Sequence, residues 1–79
     1  MKIYSILDDM DTAVGFNLSG IHSIVLEDLD IVNKKIDEVM EDNNVGILVV
    51  SKNVYEHGKE KLDNIIEKRK TPLVVVIWK

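Results

Sequence analysis

Apolar and polar positions fall in blocks along this chain, and the blocks alternate between two periods. Lys2 to Leu7 is a short apolar run with the character of a buried strand, and Asp8 to Met10 follow as a turn. Thr12 to Ser19 has room for about two helical turns. Within and just past it, Val14, Leu18 and Ile21 stand at i, i+4 and i+7, the spacing of a face turned toward a sheet. Asp11 is a suitable N-cap for that helix, because its carboxylate can accept from a backbone N–H two or three residues on. Gly20 suits the left-handed position just past a helix end.

The same alternation continues to the end of the chain. His22 to Leu26 reads as a second strand. Asp28 or Asp30 caps a helix over roughly Leu29 to Glu41, whose stripe is Leu29, Val32, Ile36, Val39 and Met40. Asn43-Asn44 is a turn signal. Val45 to Val50 is almost unbroken in its apolarity, as expected of a central parallel strand covered on both faces. Ser51 or Asn53 caps a third helix running to about Lys70, with Val54, Gly58, Leu62 and Ile65 buried and Glu56, Lys59, Glu60 and Lys61 in water. Pro72 ends the link, and Leu73 to Trp78 is the last strand. The order β-α-β-α-β-α-β, joined by right-handed crossovers, predicts a three-layer α/β fold. Its parallel sheet has four strands in the order 2-1-3-4, the flavodoxin- and receiver-like topology.

Seventy-nine residues make one domain, 1–79, with no linker, repeat or low-complexity segment. A chain of this size buries only about 60% of its unfolded surface, so its margin of stability is thin. Cysteine is absent, which leaves neither a disulfide framework nor a thiolate metal site. The net charge is −4 with acids and bases interleaved, which argues against nucleic acid and anionic membranes as partners. The amino end lacks the pattern of a signal peptide, and Leu73 to Trp78 is far too short to span a bilayer. The expectation is a protein with no direct membrane insertion.

Candidate chemistry is sparse. Asp8, Asp9 and Asp11 cluster where the first strand ends, the edge at which open α/β sheets bind ligands, and hard oxygen ligands there could hold Mg²⁺. A receiver-like signalling or ligand-binding domain using that cluster is therefore the alternative reading. It lacks support elsewhere: a receiver needs an acid after its third strand, and Val49-Val50-Ser51-Lys52-Asn53 has none. Gly15 and Gly20 have the spacing of half a P-loop, but Ile21-His22 follow where Lys-Ser/Thr is required. Gly15 is read instead as allowing close packing. His22 and His57 lack metal-ligand spacing and read as surface residues. Ser51 has no G-x-S-x-G setting. No catalytic, cofactor or metal site is assigned, and Asp9, Asp11, Thr12, Gly15 and Gly20 are read as structural.

The stretch Asp9-Met10-Asp11-Thr12-Ala13-Val14-Gly15-Phe16-Asn17-Leu18-Ser19-Gly20 carries more information than any other. The pattern D-x-D-T-x-x-G-F-x-L-x-G, directly after the first strand of a small α/β chain, resembles the F subunit of V-type (archaeal-type) ATPases and ATP synthases. The weaker runs Asn44 to Val50 and Thr71 to Ile77 extend the resemblance over the whole chain. It implies a non-catalytic component of the central rotor that docks on the coiled-coil axle subunit beside other stalk subunits. There it would help couple ATP hydrolysis or synthesis to H⁺ or Na⁺ transport, on the cytoplasmic side and peripheral to the membrane. It implies no cofactor. The family usually has Gly directly after the first strand, where this sequence has Asp8. It also normally continues past the last strand into a carboxyl-terminal helix, whereas this sequence ends at Lys79.

Two aromatic residues are candidate partner contacts. Phe16 lies about 200° around the helix from Val14, so it leans outward if Val14 faces the sheet. The competing reading tucks it beside a neighbouring helix or under the loop after Val50. Trp78 ends a strand that is apolar on both faces yet lies at a sheet edge, an arrangement that calls for a cover.

Overall fold

The computed structural model describes residues 1–68 and 71–78. Four strands form one parallel sheet in the order β2-β1-β3-β4: β1 (Lys2–Leu7), β2 (His22–Val25), β3 (Val45–Ser51) and β4 (Leu73–Ile77). The predicted topology is thus present. The helices are α1 (Met10–Leu18), α2 (Val32–Met40), α3 (Lys52–His57) and α4 (Lys59–Glu67), with a 3₁₀ turn, Leu29–Ile31, leading into α2. The register between β1 and β3 slips once, between Lys2 and Ile3, opposite the Val45–Gly46 step.

Strand alternation divides the apolar residues between two faces. Ile6, Leu48 and Val50 point to the side covered by α2, α3 and α4. There they join Val32, Ile36, Val39, Val54, Leu62 and Ile65 in the main core. The other face carries Ser5, Leu7, Ser23 and Val49, all buried, with α1 as the one described helix above it.

The third predicted helix is two helices. The break is at Gly58, which is buried and approaches α2 so closely that an added Cβ would lie 2.5 Å from Ile36 Cδ1 and 2.9 Å from Val32 Cγ1. Backbone bonds from Gly58 N–H to the Val54 and Tyr55 carbonyls close α3, and Leu62 N–H donates to the Gly58 carbonyl to start α4. Tyr55 donates its hydroxyl to Asp63 at 2.6 Å and ties the two helices across the break. The predicted carboxyl end of this helix at Lys70 lies outside the described residues.

The caps also differ from expectation. The first helix begins at Met10, two residues before the predicted start, and its N-cap is Asp9 rather than Asp11. The Asp9 carboxylate accepts from Thr12 N–H at 3.1 Å and from the Thr12 hydroxyl. Asp11 is exposed in the first turn, where its charge favours the helix dipole. At the other end Ile21 N–H donates to the Phe16 carbonyl and Gly20 N–H to the Asn17 carbonyl. With Gly20 at φ 88°, this is a Schellman closure, and it accounts for glycine there. Asp28 caps the 3₁₀ turn, accepting from Asp30 N–H at 2.9 Å.

Gly58→Ala should destabilise the domain by about 1–3 kcal/mol, because the new methyl overpacks against two buried core side chains, Ile36 and Val32. Urea unfolding followed by circular dichroism measures it, and an unchanged midpoint would contradict the close approach. Asp9→Ala should cost about 1 kcal/mol through loss of the cap, and Asp11→Ala clearly less. The reverse ranking would return the cap to Asp11.

Candidate functional site

The acidic loop at the carboxyl end of β1 is engaged within the chain. Asp8 accepts from the Ser51 hydroxyl at 2.6 Å and from the Asn53 side-chain amide at 2.8 Å. These bonds join the ends of β1 and β3 to the first turn of α3. They also explain why Ser51 makes no side-chain cap to α3: its hydroxyl is committed to Asp8. The Ser51 bond, with Asn53 assisting against partial burial, holds the Asp8 carboxyl below the ordinary aspartate value of 3.8. Among the described residues no three His, Cys, Asp or Glu side chains are grouped to hold a metal ion. His22 and His57 are exposed, the first stacked obliquely on Tyr4 and the second against the Asn53 carbonyl.

On α1 the predicted orientation is overturned. Ala13 is the buried residue and Phe16 is half-buried, whereas Val14 and Leu18 are 49% and 85% exposed. Phe16 therefore does not lean outward from a Val14–Leu18 core face. The cause is polar. Asn17 reaches the outer edge of β2 and makes a two-pronged contact with the Ser23 backbone. Ser23 N–H donates to Asn17 Oδ1 at 2.9 Å, and Asn17 Nδ2 donates to the Ser23 carbonyl at 3.3 Å. Beneath the helix the hydroxyls of Ser5 and Ser23 bond to each other. Pairing these groups sets the roll of the helix. Ala13, one turn before Asn17, then meets the sheet, and Val14 and Leu18 rotate away. Gly15 does not serve close packing either, because a Cβ there would meet nothing within 4 Å among the described residues.

The far half of the α1 side of the sheet stays open. Leu73 and Val75 of β4 are exposed, and Ile3 and Ile47 are only partly covered. Trp78 lies just past β4, 80% exposed. The Lys52 ammonium sits 4.8 Å from its ring centroid, a cation–π contact at the start of α3. Phe16 and Trp78 thus lie on different sides of the sheet and do not form one patch. The open residues Met10, Val14 and Leu18 were missed by apolar spacing alone. No local signal marked them, because the Asn17 contact that sets the roll is made with Ser23 on another element.

Residues 3–78 match the family of the ATP synthase (F/14-kDa) subunit. The chain belongs to that family. The F subunit of the A-type ATP synthase of Methanothrix thermoacetophila is 33% identical over 75 residues, covering 92% of this chain and 75% of that protein. Its counterpart in Methanocaldococcus jannaschii is 33% identical over 67 residues, covering 82% of this chain and 66% of the relative. The crystal structure of the V-type ATP synthase F subunit of Archaeoglobus fulgidus matches with a TM-score of 0.75 over 96% of both chains, at 19% identity. That likeness shows a shared fold. Membership makes the chain an F subunit of a rotary A/V-type ATP synthase, with other subunits of the complex as its partners. No described helix is long and apolar enough to cross a membrane.

The Asp8 contacts predict an acid limb in stability. A carboxyl whose folded pKa is lowered contributes fully above its unfolded value, progressively less as pH falls, and nothing below the folded pKa. Wild type should therefore exceed Asp8→Asn in urea midpoint at about pH 6, with the gap shrinking by about pH 3. A gap independent of pH would show that the Asp8 charge is not what Ser51 and Asn53 stabilise.

Proposed function

We propose that this chain is a non-catalytic component of the central rotor, on the cytoplasmic side and peripheral to the membrane. It docks on the coiled-coil axle subunit beside other stalk subunits and helps couple ATP hydrolysis or synthesis to H⁺ or Na⁺ transport. The observation that carries this reading is the family match, which runs from the first strand to the last. The state of the acidic loop agrees with it. Asp8 is hydrogen-bonded to Ser51 and Asn53, and Asp9 caps α1, so the loop serves the fold and need not bind a ligand. A small body held by a parallel sheet and a continuous core is suited to transmit load without deforming, because packed interiors have low compressibility.

Phe16 and Trp78 are proposed as contact residues, Trp78 with the larger open area and Phe16 with the part that α1 leaves uncovered. Titration calorimetry with the recombinant axle subunit tests the function and these residues separately. Wild type should bind. Phe16→Ala or Trp78→Ala should weaken the complex by about 2 kcal/mol, the scale of an aromatic anchor. Full affinity in both variants would remove these residues from the interface, and no binding by wild type would remove the rotor assignment.

A further inference from the structure

The outward face of α1 combines two features that the domain does not need for its own folding. The first is a ridge of exposed apolar side chains, Met10, Val14 and Leu18, at i, i+4 and i+8. The second is Gly15, which stands beside that ridge with open space where a Cβ would be. Glycine inside a helix lowers its stability relative to alanine, and here neither positive φ nor a neighbour among the described residues requires it. At about 100° per residue, Asp11, Val14, Gly15 and Leu18 share the side opposite Ala13 and Phe16.

An i, i+4 ridge next to a side-chain gap is the shape that receives another helix. Ridges at this spacing pack into the grooves of a partner helix, and a missing side chain lets the two backbones approach. The electrostatics narrow the partner further. The helix Met10–Leu18 carries one acid, Asp11, and no Lys or Arg. Asp11 is exposed and lies on the ridge face itself, and the carboxylates of Asp8 and Asp9, though hydrogen-bonded within the domain, immediately precede the helix. The complement is an amphipathic helix with an apolar seam flanked by basic side chains.

We propose that the outward face of α1, formed by Asp11, Val14, Gly15 and Leu18, seats one helix of the coiled-coil axle through an apolar seam flanked by Lys or Arg. This rests on the rotor reading and adds, to the contacts proposed at Phe16 and Trp78, a seat on the side of α1 turned away from Phe16. The test is titration calorimetry with the recombinant axle subunit, using wild type, Val14→Ser/Leu18→Ser, Gly15→Leu and Asp11→Asn. Glu38→Gln on α2 serves as the control. The Val14→Ser/Leu18→Ser and Gly15→Leu variants should each lose at least tenfold in affinity. Asp11→Asn should reduce the salt dependence of binding, and Glu38→Gln should bind like wild type. Gly15→Leu should at the same time raise the urea midpoint of the free domain, since it adds a helix former at an exposed site. Gain of stability with loss of binding separates a docking role from a folding role. If wild type binds and either substituted ridge or gap loses less than tenfold, this seat is wrong while the rotor reading stands. If wild type does not bind the axle, both fall.

Discussion

Among the described residues the edge of β2 has backbone groups with no further strand to pair with, and the first helix is arranged to supply them. At Ser23 the N–H and C=O both meet the side-chain amide of Asn17, while the Ser23 hydroxyl pairs with Ser5 under the helix. An unpaired buried polar group costs about 1–3 kcal/mol, comparable with the gain from burying one more aliphatic side chain. The polar requirement therefore competes on equal terms with the apolar spacing, and here it prevails. Everything on that side of the sheet follows: Ala13 meets the strands, Phe16 is half-covered, and Val14 and Leu18 stand in water.

The two faces of the sheet are consequently unlike. On one, three helices and the tight approach at Gly58 enclose a continuous aliphatic core. On the other, a short helix with a serine pair beneath it covers part of the sheet, and β4 keeps Leu73 and Val75 open. The first face holds the domain together. The second has apolar surface left over, the property expected of a protein that works only in an assembly.

At the carboxyl end of the strands, where many open α/β folds bind a ligand, the acids close the domain's own loops. Asp8 joins β1 to β3 and α3 through Ser51 and Asn53. The loop is thus cross-linked to the neighbouring strand and helix. The proposed place in the rotor would benefit from such stiffness, because a compliant domain would twist under load and delay its transmission.

Element order, the parallel sheet and its 2-1-3-4 arrangement were all legible from hydrophobic periodicity, since buried central strands and amphipathic helices leave strong one-dimensional patterns. The family was legible from Asp9 to Gly20, because caps, glycines and apolar residues at fixed offsets form a local signature. The roll of α1 was not legible. Val14, Leu18 and Ile21 have core spacing, and nothing local says that Asn17 must reach Ser23. The division of the third helix at Gly58 was equally hidden, because the reason for it lies in Ile36 and Val32 on another helix. Asp9 displaced Asp11 as the cap because two nearby carboxylates satisfy the same local rule, and the helix start selects between them. Sequence by itself determined what is set by neighbours along the chain. The tertiary structure decided which face of α1 is left for a partner, because that choice turns on a hydrogen bond to the backbone of a different element.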